Sequence, residues 1–213
     1  MAVPQLVTGS LYHIFSRSIA EFRIFNNDND FQRMKGIFKY YQVAKRRVCF
    51  SHYNNAAVDG PNNICGEKLV NIIAYCIMPT HFHLILKQRR ENGISIYMNK
   101  LLNSYTRYFN IKYDRKGPLW EARFQRVFVE TDEQLLHLTR YIHLNPVTAY
   151  IVDSPDEWRF SSYHEYQLLD NSEENICSYQ DVLKIKPDLY KKFVEENIAN
   201  QRKLAAAKPS STA

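Results

Sequence analysis

Two stretches of the chain carry side chains that could do chemistry together. The first, Tyr75 to Lys87, reads YCIMPTHFHLILK. Its apolar run meets a turn at Met78-Pro79-Thr80 and resumes with the alternation of a strand. Alternate residues of a strand share a face, so His81 and His83 project from the same side. The second, Leu138 to Val147, reads LTRYIHLNPV with helical spacing. Tyr141 and Asn145 stand one helical turn apart there, on one face and separated by roughly 6 Å of rise. Pro146 is expected to end that helix. Two imidazoles, a phenol and a carboxamide suit a metal-assisted attack by tyrosine on a phosphodiester. Phosphodiester oxygens repel a nucleophile, and a divalent cation that polarises the phosphate offsets the developing charge.

The chain has fifteen tyrosines, and Tyr105 and Tyr108 are rival nucleophiles in a basic helix. Tyr141 is distinguished because it precedes an amide by one turn just before a proline, which would bring nucleophile and metal together. Judged on ligand chemistry alone, two imidazoles and an amide oxygen favour Mn²⁺, Co²⁺ or Zn²⁺ over Mg²⁺, which prefers oxygen.

The formal net charge is +6, which points to an anionic partner. Between Leu84 and Arg126 there are ten Lys and Arg against three Asp and Glu, so this window alone exceeds the whole-chain surplus. Lys100, Arg107, Lys112, Arg115 and Lys116 are the candidates for contacts to a nucleic-acid backbone. Arg123 and Arg126, near a predicted strand, are candidates for phosphate contacts, with a structural salt bridge as the alternative. The same window carries Tyr97, Tyr105, Tyr108, Phe109, Tyr113, Trp120 and Phe124. Such rings can stack on unpaired bases, but most of these suit a core.

The elements that must position these groups follow from periodicity. Gly9 to Ser18 alternates as a strand, and Asn26 to Asp30 is rich in helix-capping side chains. Phe31, Met34, Ile37, Phe38, Tyr41, Ala44 and Val48 mark an apolar stripe on a helix from about Asp30 to Arg47. Ser51 to Lys68 reads as a polar surface loop in which His52 is solvated. Leu69 to Met78 and Phe82 to Gln88 form an antiparallel hairpin. Gly93 to Lys112 is a second amphipathic helix, broken at residues 114–118. Phe124 to Glu130 is a fourth strand, and Thr131 or Asp132 caps the helix that holds Tyr141. The expected class is α+β: a ferredoxin-like antiparallel sheet with helices on one face plus an additional C-terminal catalytic helix. Asp156 to Tyr166 reads as an irregular cover, residues 179–204 contain a helix, and residues 205–213 are expected to be disordered. Residues 1–170 form the proposed catalytic domain and 171–213 a C-terminal helical extension with its tail.

At 213 residues and 45% hydrophobic content, such a domain can build its core without staples. Cys49, Cys65, Cys76 and Cys177 are widely spaced without a C-x-x-C pair, which fits free thiols in a reducing cytoplasm. The N-terminal stretch lacks a basic segment followed by a long apolar core, and no run approaches the roughly 18 apolar residues that span a bilayer. Neither secretion nor membrane insertion is expected.

Five pieces, in order, carry a family resemblance: LYHIFSRS with the acidic cluster after it, MPTHFHLIL, GPLWEARFQRVFVE, RYIHLNPVTAYIV and EWRFSSYHEY. Together the sequence resembles the single-tyrosine HUH transposases, especially the REP-associated tyrosine transposase branch. The resemblance places the HUH histidines on His81 and His83, the nucleophile on Tyr141 and the third metal ligand on Asn145. It implies Mg²⁺ or Mn²⁺, a 5′-phosphotyrosine intermediate with a free 3′-hydroxyl, and single-stranded hairpin DNA as substrate. A nucleoid-associated cytoplasmic location and a possible homodimer follow from it as expectations. The family often has arginine where Thr148 stands, a departure that touches no proposed chemical role. Two other classes stay open: a metal-dependent hydrolase in which water attacks, and a catalytically silent protein that binds hairpin DNA or RNA.

Overall fold

The computed structural model describes residues 5–45, 50, 66–167 and 175–207. Cys49, Cys65, Val48, His52 with most of the expected 51–68 loop, and the tail from 208 lie outside the described residues.

Four antiparallel strands form one sheet: β1 (Leu11–Arg17), β2 (Val70–Ile77), β3 (His81–Gln88) and β4 (Gln125–Val129), in the order β2-β3-β1-β4. Helix α1 (Asp28–Tyr40) joins β1 to β2, and α2 (Gly93–Lys112) joins β3 to β4. This is the expected ferredoxin-like arrangement. Along β1 burial alternates, with Tyr12, Ile14 and Ser16 inside and Leu11, His13 and Phe15 half-buried. The sheet therefore has two unlike faces.

The inner face is apolar and is covered by α1 and α2. Phe38 of α1 meets Phe82 and Tyr75 edge-on, and Phe82 meets Trp120. Tyr97, Met98, Leu101 and Tyr105 of α2 are fully buried, as the apolar stripe requires. Gly93, at the start of α2, has no alternative: a Cβ there would stand 2.3 Å from the Leu69 carbonyl oxygen. Asn27 caps α1 through its side chain, which accepts from the Asp30 amide, in line with the capping signal. The helix stops at Tyr40, earlier than its stripe suggests. Beyond it the chain pairs with the lead-in to β2, where the Gln42 carbonyl accepts from Leu69 N and the Glu67 carbonyl accepts from Ala44 N. That ladder takes the backbone groups a longer helix would have used.

Helix α3 (Asp132–Thr148) crosses the other face. Thr131 is its cap, accepting from Gln134 N. Pro146 does not end it as expected. A proline this near the C-terminus removes only one intrahelical bond, and Thr148 is still helical, with its hydroxyl donating to the Leu144 carbonyl. The irregular cover is present as two short 3-10 turns, Pro155–Glu157 and His164–Tyr166. It docks on the outer edge of β2, where the Phe160 carbonyl accepts from Ile77 N and the Tyr75 carbonyl accepts from Ser162 N. β2 is buried along its whole length.

Two helices, α4 (Pro187–Glu195) and α5 (Ile198–Ala206), stand where one helical region was expected. Both lie against α3. His143, fully buried, has Nδ1 2.6 Å from the Tyr190 hydroxyl of α4 and Nε2 2.7 Å from Ser162 Oγ. From α5, Gln201 Nε2 donates to the Tyr141 carbonyl at 3.2 Å, and Arg202 Nε donates to the Val147 carbonyl at 3.1 Å. The catalytic-helix candidate is thus held by its backbone from behind.

Burial lowers the His143 pKa from its ordinary 6.5 to about 3. The unfolded chain takes up this proton as pH falls through about 6.5, whereas the folded chain resists it until near 3. Stability from this group is therefore complete above pH 6.5 and is lost on acidification toward 3. The wild-type chain is expected to lose stability between pH 6 and 4 more steeply than His143→Gln, by about 1.4 kcal/mol per pH unit. Urea denaturation across that range measures the two slopes, and equal slopes would refute the assignment.

Candidate active site

Register builds the site. On β1 and β3, Phe15 lies opposite His83, Arg17 opposite His81 and His13 opposite Ile85. On β2, Cys76 lies opposite His83. His13, Phe15, Arg17, His81, His83 and Cys76 consequently share the face that α3 covers. The turn that starts β3 is pinned: the Thr80 carbonyl accepts from Ser18 N, and the Pro79 carbonyl accepts from Ile24 N and Phe25 N. Glu121 N donates to the Arg17 carbonyl, which fixes the end of β1 beside it.

Tyr141 descends from α3 onto this face. Its ring centre is 5.9 Å from that of His83 and 6.4 Å from that of His13, both nearly edge-on. The His81 and His83 rings are 5.1 Å apart and perpendicular. His83 Nδ1 is 3.0 Å from His13 Nε2, and His81 Nδ1 is 2.9 Å from Thr80 Oγ1. His83 is only 8% exposed. Asn145 is half-buried one turn below Tyr141, and its Nδ2 is buried without a protein partner.

Desolvation sets the charge states. Burial lowers His13 and His81 to about 4, with Arg17 adding to the effect on His81. His83 is pushed well below its ordinary value, first by burial and then by its basic neighbours. All three imidazoles are neutral at pH 7. Burial raises the Tyr141 phenol, and Arg17 opposes that rise. The nucleophile candidate rests protonated beside a guanidinium that favours its phenolate.

The donor set can be tested against a divalent cation. When each Nδ1 of His81 and His83 carries its proton, both Nε2 atoms keep a lone pair, and neutral imidazole is the form that ligates. The Asn145 amide is unpaired at its buried Nδ2, and a flip of the carboxamide would put Oδ1, the atom that can ligate, in that place. Two imidazoles and one amide fit a cation that accepts mixed nitrogen and oxygen ligands. Among the described residues no group of three His, Cys, Asp or Glu is spaced to hold one; the candidate set is two imidazoles and the Asn145 carboxamide.

The basic candidates are dispersed. Lys112 Nζ is 2.6 Å from Asp30 Oδ1, in an ion pair whose carboxylate is fully buried. Asp30 also accepts from the hydroxyls of Tyr108 and Tyr113. Lys100 donates to the Ala44 carbonyl at 2.7 Å, and Arg115 donates to the Asn110 side chain and the Pro118 carbonyl. Arg107 and Lys116 are exposed. Lys100, Arg107 and Lys112 line a cavity of about 790 Å³ with Arg33. Arg123 and Arg126 line a different groove of about 750 Å³ with Asn99, Asn103, Trp120 and Phe124. The rival tyrosines are committed, since Tyr105 donates to the Ile24 carbonyl and Tyr108 to Asp30.

His13 and Arg17 were not singled out by sequence reasoning. The alternation of LYHIFSR puts both on the partly open parity of β1, but only the pairing register shows that this face is also that of His81 and His83. Arg17 further lines a cleft of about 270 Å³ with Phe15, Glu121, Phe124 and Gln125, which opens beside the site.

Comparison with known proteins gives three findings. Residues 41–145 match the family model described as "Transposase IS200 like". A protein of Haemophilus influenzae, described as a candidate REP-associated tyrosine transposase, is 28% identical over 135 residues, covering 59% of this chain and 76% of that one. A solved structure of a REP-associated tyrosine transposase bound to a REP hairpin matches with a TM-score of 0.55 at 15% identity, covering 87% of this chain and 99% of that one.

Lys112→Met is expected to destabilise the fold by about 1.5–3 kcal/mol, because it leaves a buried carboxylate without its charged partner. Arg107→Met, on an exposed position, should stay within about 0.5 kcal/mol of wild type. Urea unfolding of the two variants makes the comparison, and an unchanged midpoint for Lys112→Met would contradict it.

Proposed function

We propose that the chain is an IS200-like transposase of the REP-associated tyrosine kind, which it resembles over residues 41–145, and that it cleaves and rejoins single-stranded, hairpin-bearing DNA through Tyr141. The observation that carries this reading is the Tyr141 ring set 5.9 Å from that of His83, on a helix laid over the face that carries both histidines.

In the proposed reaction the Tyr141 oxygen forms a bond to the scissile phosphorus as its phenolic proton leaves. The bond from phosphorus to the 3′ oxygen breaks, and that oxygen takes up a proton to become a free 3′-hydroxyl. The 5′-phosphate stays on the tyrosine, which conserves the phosphoester for attack by another 3′-hydroxyl in the rejoining step. Arg17 favours the phenolate through its charge, and its place beside the small cleft suits contact with the phosphate. A Mg²⁺ or Mn²⁺ ion held by His81, His83 and Asn145 would polarise the phosphate oxygens and offset the charge that builds on them.

The geometry supports a single-stranded substrate. A tyrosine held on a helix close above a sheet needs a strand that can bend into the gap, and unpaired DNA does so without opening a duplex. The solved relative's hairpin supports a folded single strand as the form bound. Tyr141 and both histidines come together within one chain, which supports a site built in cis. Arg107, Lys116 and Arg123 are the exposed candidates for backbone contacts, with Arg126 beside Arg123 in the same groove; chromosomal DNA in the cytoplasm is the substrate this reading implies.

With Mn²⁺ and a hairpin oligonucleotide, the wild-type chain is expected to form a covalent adduct that survives denaturation. Tyr141→Phe should form none while its DNA Kd stays within about threefold, since only the attacking oxygen is lost. Cleavage by Tyr141→Phe would overturn the nucleophile, and wild-type cleavage without an adduct would favour attack by water. Affinity for the hairpin should also fall steeply as salt rises, as counterion release requires. Equal affinity and cleavage for the same palindrome as a full duplex would contradict the single-strand reading.

A further inference from the structure

His13 lies on β1, before the first residue matched by the family model, and its imidazole is the one the reaction above leaves unused. Its Nε2 is 3.0 Å from His83 Nδ1, and the two rings stack at 24° with centres 5.2 Å apart. Phe15 flanks both, 5.1 Å from His13 and 5.8 Å from His83. The placement is fixed by register. His13 pairs with Ile85, so it sits diagonally from His83 on the same face, within the reach of large side chains.

A single N–H···N bond between two neutral imidazoles has two forms. In one, His83 Nδ1–H donates to His13 Nε2, which leaves His83 Nε2 with a bare lone pair toward the site. In the other, His13 Nε2–H donates to His83 Nδ1, and the proton that His83 carries must then sit on Nε2 and block it. The choice of form decides whether His83 can ligate a cation. We propose that His13 is a positioning residue that accepts from His83 Nδ1–H, so fixing the tautomer and ring orientation in which His83 Nε2 is open to a divalent metal. Metal-bound histidines need such a partner on the other nitrogen, and His81 has its equivalent in Thr80 Oγ1. The buried setting of His83 makes the partner necessary, since an unpaired Nδ1–H with no water to replace it would be costly there.

This inference rests on the metal site proposed above, so its test has one arm that needs no metal. The variants are His13→Leu, which removes the acceptor, and His13→Gln, whose Oε1 can still accept. Their thermal midpoints and near-ultraviolet circular dichroism establish that each is folded. In the first arm, Mn²⁺ and Co²⁺ binding are measured by calorimetry at pH 7.5. His13→Leu should bind about 10–100-fold more weakly than wild type, and His13→Gln should recover most of the loss. In the second arm, long-range ¹⁵N–¹H spectra of the metal-free, ¹⁵N-histidine-labelled protein should show His83 protonated on Nδ1 in wild type and in His13→Gln. His83 should move to Nε2–H in His13→Leu.

Wild-type metal affinity in His13→Leu, or an unchanged His83 tautomer, would overturn the proposal. So would equal losses in Leu and Gln, which would make the effect one of packing. If the wild-type chain binds neither cation, the metal reading fails while the spectra still decide whether His13 sets the tautomer. If His13→Leu does not fold, the wild-type and His13→Gln spectra carry the test, and Nε2–H on His83 in either would overturn it.

Discussion

The pairing of β1 with β3 is the constraint on which everything else depends. Side chains in a strand alternate with a period of two, so a slip of one residue would turn every member of β1 to the opposite face. In the observed register, Ile14, Ser16, Phe82 and Leu84 face the apolar layer, while His13, Phe15, Arg17, His81 and His83 face α3. The register is secured from the inner side. Ile14, Phe82, Leu84 and Leu86 are fully buried, and exposing such side chains would cost roughly 1.5–3 kcal/mol each. The apolar face thereby holds the polar face in place, and the chemistry rests on packing that takes no part in it.

The two faces are built to different rules. Under α1 and α2 the layer is apolar, with rings meeting at T-shaped angles. Under α3 the layer must leave polar atoms accessible, so α3 draws its own stability from its back. His143, Gln201 and Arg202 tie it to α4, α5 and the 155–166 cover. The same cover bonds to the backbone of β2, whose edge would otherwise present open hydrogen-bonding groups. Helices α4 and α5 are therefore packed against the helix that carries Tyr141, although their sequence alone reads as an extension.

Much of this was legible because local signals agreed with the tertiary structure. The alternation of HFHLIL, the stripe of α2, the capping side chains at Asn27 and Thr131, and the pairing of Tyr141 with Asn145 are all properties of short segments. What escaped was set by contacts between distant segments. α1 ends at Tyr40 because residues 42–44 pair with residues 67–70, which no stripe reveals. Lys112 resembles a surface cation by sequence, yet a carboxylate 82 positions away takes it. His13 and Arg17 carry no motif, and only the strand register puts them beside His83 and His81. Charge counted along a window likewise mixed Lys100 and Lys112 with Arg123 and Arg126, which line separate cavities.

A site made of neutral groups in a poorly hydrated pocket behaves differently from one made of exposed charges. The imidazoles here are held neutral by burial, and burial raises the pKa of a Tyr141 phenol that is protonated in any case. The resting site therefore stores little charge, and α3 can close over it without burying unpaired ions, which would cost several kcal/mol each. In the proposed reaction, charge would arrive with the substrate, as phosphate, and with any cation bound to the lone pairs. Weak screening then makes each attraction larger than it would be in water. Arg17 sits where this matters: at the rim its charge stays solvated, with Glu21 as a surface partner at 3.0 Å, yet it acts on both His81 and Tyr141. The same burial that makes ionisation costly at rest would make it responsive to the anionic strand of the proposed reaction.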